Sequence, residues 1–581
     1  MNKISPKFYL FFYSKNEIMI KKFKNTFNTY KLDEFDTGDT SYCCNIRTDS
    51  YKESDKFLFF YGMNLFDIKN IEKEEKISSG AQLSHSLFSY AKMNESEVTI
   101  QSDKLGVFPH YYFKDNQSFI ISNNIFLVNL LVESDYSLTG FYDTIVFKKP
   151  LNATTWFEKI FTILPGNSIV FNIKNFSFAI KEYFNIFSLL YPENTNYIST
   201  FRDYFDQIRD NKASEENYMS ISAGADSRTV LTGLRYSKIS FKSVSWGDED
   251  YLETANIRTL VKKLKLDLVI INFQDLIVNY KEMMKEGIFL SNGMLPAIHL
   301  YYFRTKIRPG SNLFEGYGGS ELYKGELSDG MVTPLYSDIL TGKLNIPGSI
   351  NSSFKDLKGS FNKNLQDYLV NNHLKGELNV NTPEGFKNFQ KHLLTFIPSK
   401  VFCGVFNFGI HLNLSFFDPY FSPLFLKSVF SNNLGIVKNV SLRKDFPGAI
   451  KILSLQASIV KELDPEVFKT VLDRGVSFKE SQMNDLAAIY LRKKRLLYKK
   501  YISSKKYPMM SQVNVKQILK EVQFEESKVH PFIENICETN GDILKSNPLI
   551  RYASSYLNYI DQVRSTDMIN SFIKRKSTEN I

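Results

Sequence analysis

Cysteine is scarce in this chain, with only Cys43, Cys44, Cys403 and Cys537 among 581 residues. That number and spacing exclude a disulfide framework and a cysteine-rich zinc site. The seven histidines form no cluster with metal-ligand spacing, and no serine–histidine–aspartate set stands out. His299 and His411 lie in apolar contexts and read as packed, hydrogen-bonded groups. No run approaches about 18 uncharged apolar residues, so no transmembrane segment is expected. Phe8 to Tyr13 is short and lacks a cleavage region after it, so no secretory leader is expected. A Walker phosphate loop and a dinucleotide fingerprint are both missing. The formal charge is +10, but the lysines gather only locally, at 21–24, 262–265 and 493–506. Without a dense patch or a reading motif, nucleic acid is not an expected partner. These absences leave a reduced, cytoplasmic, multidomain protein as the expectation.

What the chain does have is aromatic bulk, with 50 Phe and 33 Tyr. Over residues 1–190 these sit in short apolar runs, including Phe8 to Tyr13, Phe57 to Tyr61, Phe119 to Ile121 and Ser168 to Phe171. Turn residues separate the runs, among them Gly106, Pro109 and Pro165-Gly166. The pattern predicts an α+β domain rich in strands, with a helix over Ser84 to Met93. Residues 191–210 have mixed polarity and read as a connection. From about residue 206 strands and helical periodicity alternate: Ile239 to Trp246, Tyr251 to Leu264, Leu268 to Ile271, Asp275 to Met284, then Asn312 to Phe314. That alternation predicts a parallel α/β sheet. Helical character continues through Phe425 to Phe430, Ala449 to Leu463 and Asn484 to Lys500. A helical extension is expected over 506–581.

The chemistry-bearing stretch is 217–232. An apolar run ends at Ile221, the small-residue turn Ser222-Ala223-Gly224-Ala225-Asp226-Ser227 follows, and a helical pattern begins. Strand, turn and helix N-terminus together make a nest of backbone N–H groups suited to phosphate. Asp226 is out of place against bare phosphate, so a metal bridging carboxylate and phosphate is expected.

The turn resembles the Ser-Gly-Gly-x-Asp-Ser loop of the ATP-pyrophosphatase group, with Ala223 in place of the first Gly. A second stretch, Glu315-Gly316-Tyr317-Gly318-Gly319-Ser320-Glu321-Leu322, resembles the glycine-rich segment of the synthetase domain in glutamine-hydrolysing asparagine synthetases. The two stand in that family's order, about ninety residues apart. Asp103-Lys104-Leu105-Gly106-Val107-Phe108-Pro109-His110-Tyr111-Tyr112 is similar to a segment of the same family's glutaminase domain. The resemblance implies a glutaminase-like domain of the Ntn-hydrolase type over 1–190. It also implies an ATP-pyrophosphatase domain over 206–505, with a helical C-terminal part.

Departures from the family shape the functional expectation. Asn2 stands where the family's nucleophilic cysteine would be, which implies a degenerate domain without glutamine hydrolysis. Ser320 replaces an Asp expected to help hold magnesium, and Tyr317 replaces another acid. Ser291-Asn292-Gly293-Met294-Leu295-Pro296 carries no acid where the family often has an Asp-Glu-Pro turn. By resemblance the loop cradles the pyrophosphate of ATP, Asp226 and Ser320 meet Mg2+, and the strand from Phe241 with Gly247 at its end contacts adenosine. Glu321 keeps a negative group adjacent. Arg228 serves either phosphate contact or an ion pair. Asp418 reads as a helix N-cap. Among Lys438, Lys444, Lys451 and Lys461, Lys451 best fits the family's essential lysine. The implied activity is ATP-dependent adenylation of a carboxylate and its transfer to ammonia or an organic amine, in secondary metabolism or surface-glycan modification. The alternative is a catalytically inactive scaffold or partner subunit, and a homodimer or a pathway partner protein is open to either reading.

Overall fold

All six residues of the strand β1 (Tyr9–Ser14) are buried, which requires cover on both of its faces. The pleat sorts them with a period of two. Tyr9, Phe11 and Tyr13 join Phe119, Ile121 and Phe171 in one apolar cluster. Phe8, Leu10 and Phe12 join Phe23, Ile46 and Ile120 in another. The computed structural model describes residues 7–28, 32–35, 41–47, 57–63, 83–94, 96–191, 195–212, 216–247, 252–271, 280–294, 303–324, 334–341, 359–372, 382–432, 454–472, 477–482, 530–537 and 560–564, and the single positions 193, 378, 490, 554, 557 and 558.

Two antiparallel sheets form the front of the molecule. The first joins β1 to β2 (Asp33–Phe35), β3 (Tyr42–Arg47), β7 (Tyr111–Lys114), β8 (Ser118–Ser122) and β9 (Phe161–Thr162), in the order β2-β3-β1-β8-β7-β9. The second holds β4 (Phe57–Met63), β5 (Leu87–Asn94), β6 (Glu97–Gln101), β10 (Asn167–Asn172) and β11 (Ser177–Glu182), in the order β11-β10-β6-β5-β4. Ala91, Val98, Ile100 and Ile169 of the second sheet share the aromatic cluster of β1 and β8, so the sheets stack face to face. The helices Glu17–Thr26 and Ile125–Val132 cover the other side of the first sheet, where the Phe12 and Phe23 rings stack 4.2 Å apart.

The helix expected over Ser84 to Met93 is instead the strand β5, paired with both β4 and β6. Aromatic and small residues alternating as Phe88-Ser89-Tyr90-Ala91 suit a pleated surface, and cross-strand packing decides in favour of a strand. The expected connection 191–210 is also more regular than its polarity suggests. From Tyr197 to Lys212 it is a helix whose Phe201, Tyr204, Phe205 and Ile208 are buried.

Behind it lies a five-stranded sheet of β12 (Asn217–Ser220), β13 (Lys242–Trp246), β14 (Leu268–Ile271), β15 (Asn312–Phe314) and β16 (Ser415–Phe417), every pair parallel. Its order is β14-β13-β12-β15-β16. The chain therefore builds outward from β12 in one direction, then returns to the other side of β12 with β15. The gap between the C-terminal ends of β12 and β15 is the point where strand order reverses, the usual ligand position in such sheets.

Helices follow in the later part of the chain. Ser454–Leu463 packs on Ala225–Tyr236. Among the described residues one helical run, Pro383–His411, is long and apolar enough to cross a membrane by length and composition, yet 89% of its apolar window is buried inside the fold. Front and rear share one apolar core. Asn292, in the turn that lacks the family's acid, ties them together. Its side chain accepts from the Ile125 N–H at 2.9 Å and donates to the Asn123 carbonyl at 3.0 Å.

Candidate functional site

β12 delivers the chain to the bend. Ile221 N–H continues the sheet by donating to the Val244 carbonyl at 2.8 Å. Ser222 then turns away, exposed, and the helix Ala225–Tyr236 starts after Gly224, an N-cap with no side-chain cap. Ser227 folds back on the bend. Its Oγ accepts from the Ser222 N–H at 3.2 Å and lies 2.9 Å from Ser222 Oγ, which in turn accepts from the Gly224 N–H at 3.1 Å. The bend is thus held by its own serines, and the first helical amides have no capping side chain. Asp226 sits in the first helical turn, where the helix dipole favours a carboxylate.

β15 delivers the glycine-rich turn to the same place. A Cβ built on Gly316 would stand 3.0 Å from the Asp226 carbonyl carbon, and one on Gly319 would stand 2.7 Å from the Asp226 carboxyl carbon. Glycine at these positions lets the turn lie flat against the bend. Gly318 takes a positive φ of 76° to make the turn. Ser320 Oγ then donates to Asp226 Oδ2 at 2.7 Å.

A residue that the motifs did not mark completes the contact. Gln456 Nε2 donates to Asp226 Oδ1 at 2.8 Å and to the Gly319 carbonyl at 3.3 Å. Gln456 is fully buried, and its Oε1 has no hydrogen-bond partner among the described residues. Its signal in the sequence is faint: a glutamine four residues before Val460, on the apolar stripe of a helix.

Asp418 backs the glycine-rich turn. It caps the short helix Pro419–Phe421, accepting from the Tyr420 N–H at 3.0 Å, and it accepts from the Tyr317 N–H at 2.7 Å. Expected to cap a helix over Phe421 to Phe430, Asp418 instead caps the short turn before it and the glycine-rich turn, and Ser422 caps the helix Pro423–Ser431. Burial pushes the Asp418 carboxyl well up, and neighbouring Glu315 and Asp226 add to this. Glu315 is buried against the Arg304 guanidinium; burial pushes its carboxyl up and the guanidinium opposes.

The other expected residues distribute as follows. Ser222, Ala223, Gly224, Ala225, Asp226 and Ser227 form the bend; Gly316, Gly319 and Ser320 face it, while Gly318 lies against Phe421 and Leu322. Gly247 follows β13 and donates its N–H to the Ile271 carbonyl at 3.0 Å. Glu321 opens a short half-buried helical turn beside Ser320. Arg228 is buried and donates to Thr470 Oγ1 at 3.0 Å and to the Val471 carbonyl at 2.5 Å. These contacts tie its helix to the segment after Pro465–Phe468, where the sequence offered phosphate or an ion pair. Lys451, Lys438 and Lys444 lie outside the described residues, and Lys461 is exposed. His411 is buried as expected, accepting from the Lys7 N–H at 2.9 Å.

Among the described residues no group of three His, Cys, Asp or Glu side chains is placed to hold a metal alone. One carboxylate with an adjacent hydroxyl is still a fit for Mg2+, which keeps waters and takes substrate phosphate oxygens. The chain matches no protein-family model and no curated protein.

Proposed function

We propose that this chain is an ATP-dependent ligase that activates a carboxylate, with release of AMP and pyrophosphate, and joins it to ammonia or an organic amine. The observation that carries the reading is the meeting of Asp226 with Ser320 where strand order reverses between β12 and β15. The fold reading behind it is a glutaminase-like Ntn-hydrolase domain followed by an asparagine-synthetase-like ATP-pyrophosphatase domain. In this reading the uncapped bend Ser222–Ser227 receives the pyrophosphate portion of ATP on backbone N–H groups, as helix N-termini receive anions. Asp226 and Ser320 would hold Mg2+, whose charge offsets that of the phosphates. The glycines at 316 and 319 keep side chains out of the space between the turns. Gln456 fixes the Asp226 carboxylate by one oxygen and so sets its direction.

A second reading has one observation in its favour. Both oxygens of Asp226 already accept hydrogen bonds, from Ser320 and Gln456, and a scaffold that binds nucleotide without chemistry would tolerate that. Magnesium-dependent exchange of labelled pyrophosphate into ATP, run across a panel of carboxylic acids, separates the two. Exchange with any acid that disappears in Asp226→Asn supports the ligase. ATP binding with no exchange across the panel supports the scaffold. No ATP binding at millimolar magnesium removes both.

A further inference from the structure

β11 ends its sheet, with β10 on one side and, among the described residues, no strand on the other. All its residues but Phe178 are exposed, and Ile180 is 51% exposed. The strand carries no proline, so its backbone is free to take a further strand along that edge.

Which groups face outward follows from the contacts of β10. The Ser102 N–H donates to the Asn167 carbonyl at 3.1 Å, so the odd-numbered residues of β10 bond toward β6. Ser168, Val170 and Asn172 therefore bond toward β11, opposite Lys181, Ala179 and Ser177. Two further contacts agree. The Tyr183 N–H donates to the Gly166 carbonyl at 2.9 Å, and the Lys181 carbonyl accepts from Ser168 Oγ at 3.3 Å. Phe178, Ile180 and Glu182 thus direct their N–H and C=O groups away from the sheet.

The same strand of a second copy can pair with this edge antiparallel, even-numbered residues against even-numbered. A two-fold axis at Lys181 or Glu182 sets that charge directly opposite itself, which is destabilising. An axis at Phe178 or Ala179 draws Phe176 into the ladder, where its φ of 55° departs from extended backbone. An axis at Ile180 avoids both. It sets Ile180 opposite Ile180, Phe178 opposite Glu182 and Ala179 opposite Lys181, with no like charges directly across from each other. Each outward-facing residue then has a hydrogen-bonding partner, and the exposed Ile180 side chains cover each other.

We infer that this chain forms a homodimer by antiparallel pairing of β11 with β11 of a second copy about a two-fold axis at Ile180. The interface is isologous and makes one continuous sheet of the two. The inference stands whether or not the bend at Asp226 activates a carboxylate.

Sedimentation equilibrium of the full chain over a concentration series tests it. Wild type should dimerise, and Ile180→Pro should weaken the dimer at least about tenfold, because both central hydrogen bonds go. Proline is tolerated where an edge strand turns its N–H outward, so the variant should keep its fold. Oxidation of Ile180→Cys should give a covalent dimer, since residues of a hydrogen-bonded pair stand about 5.5 Å apart, within disulfide reach. Ser177→Cys, about 20 Å from its own copy in this register, should not. Wild type, whose Cys43, Cys44 and Cys403 are buried, is the blank. If Ile180→Pro fails to fold, the two cysteine variants supply the readout. A wild type that stays monomeric, a dimer indifferent to Ile180→Pro, or cross-linking of Ser177→Cys equal to that of Ile180→Cys would each overturn the assignment.

Discussion

Ser320 Oγ donates to Asp226 Oδ2 at 2.7 Å, although 94 positions separate the two residues. Nothing local brings them together. The contact exists because β15 pairs with β12 in parallel, Asn217 opposite Asn312 and Met219 opposite Phe314, so the turns after the two strands emerge side by side. Gly319 then removes the Cβ that would hold them apart. Strand order, register and one missing side chain together make the site.

Replacing Ser320 by Asp puts a second carboxylate against Asp226. Without a cation the two repel, and stability should fall by about 1–2 kcal/mol. With millimolar Mg2+ the loss should be recovered, because the pair becomes a ligand set. Urea unfolding with and without Mg2+ reads both arms. Ser320→Ala is the control: it loses one hydrogen bond, about 1 kcal/mol, and gains no Mg2+ response. A Ser320→Asp protein indifferent to Mg2+ would remove the metal from the site.

Gly319→Ala should be more damaging than its one added methyl suggests. The new Cβ would sit 2.7 Å from the Asp226 carboxyl carbon, too close for contact, so the bend or the turn must move. Overpacking of this kind costs about 1–3 kcal/mol. ATP affinity should drop by about tenfold or more, because the displaced groups are those that face the nucleotide. Thermal unfolding and equilibrium nucleotide binding, measured on the same variant, check the two parts separately.

Much of this site was legible in the sequence. Small residues between an apolar run and a helical pattern marked the bend, and the Gly-rich run after Phe314 marked its partner. Their nearness followed only from the expectation of a parallel sheet. Other features were hidden because they are set by packing rather than local pattern. Arg228 looked available for phosphate, yet its place on the buried face of Ala225–Tyr236 turns it to Thr470 and Val471. β5 read as a helix because its pairing with β4 and β6 is invisible in one strand's composition. Gln456 was missed because one amide on an apolar stripe has no motif.

Gln456→Leu tests the role of that amide. The change keeps the side chain's bulk, removes the donor to Asp226 and removes an oxygen that is buried without a partner among the described residues. The two effects oppose each other, so stability should change by less than about 2 kcal/mol. Nucleotide binding should fall by about tenfold, since the Asp226 carboxylate loses the group that fixes its direction. Gln456→Glu should be worse on both counts, because it buries a second carboxylate against the first, at a cost of about 3 kcal/mol or more.

Acid sensitivity should come in part from His85. Its Nδ1 lies 2.7 Å from Ser422 Oγ, the hydroxyl that caps the helix Pro423–Ser431, and its Nε2 is buried without a hydrogen-bond partner among the described residues. A proton on both nitrogens would strand one N–H in apolar surroundings, and burial accordingly holds the imidazole down to about 4 from its ordinary 6.5. His110, buried against the Tyr9 hydroxyl at 2.8 Å, is held down to about 3 in the same way. Below pH about 6.5 the unfolded chain takes up protons at these positions and the folded chain does not, so stability falls with pH. The loss builds until the folded state also protonates, near pH 4 for His85, and reaches about 3 kcal/mol for that residue alone. Above pH about 7 both states are neutral there and the effect vanishes. The Asp418 and Glu315 carboxyls, which burial pushes up, take up protons in the folded state over the same range and oppose this slope. The readout is therefore the difference between wild type and His85→Gln in urea unfolding, which should change by about 3 kcal/mol between pH about 7 and 4. A stability difference between wild type and His85→Gln that stays constant from pH about 7 to 4 would show that His85 is not held neutral by the fold.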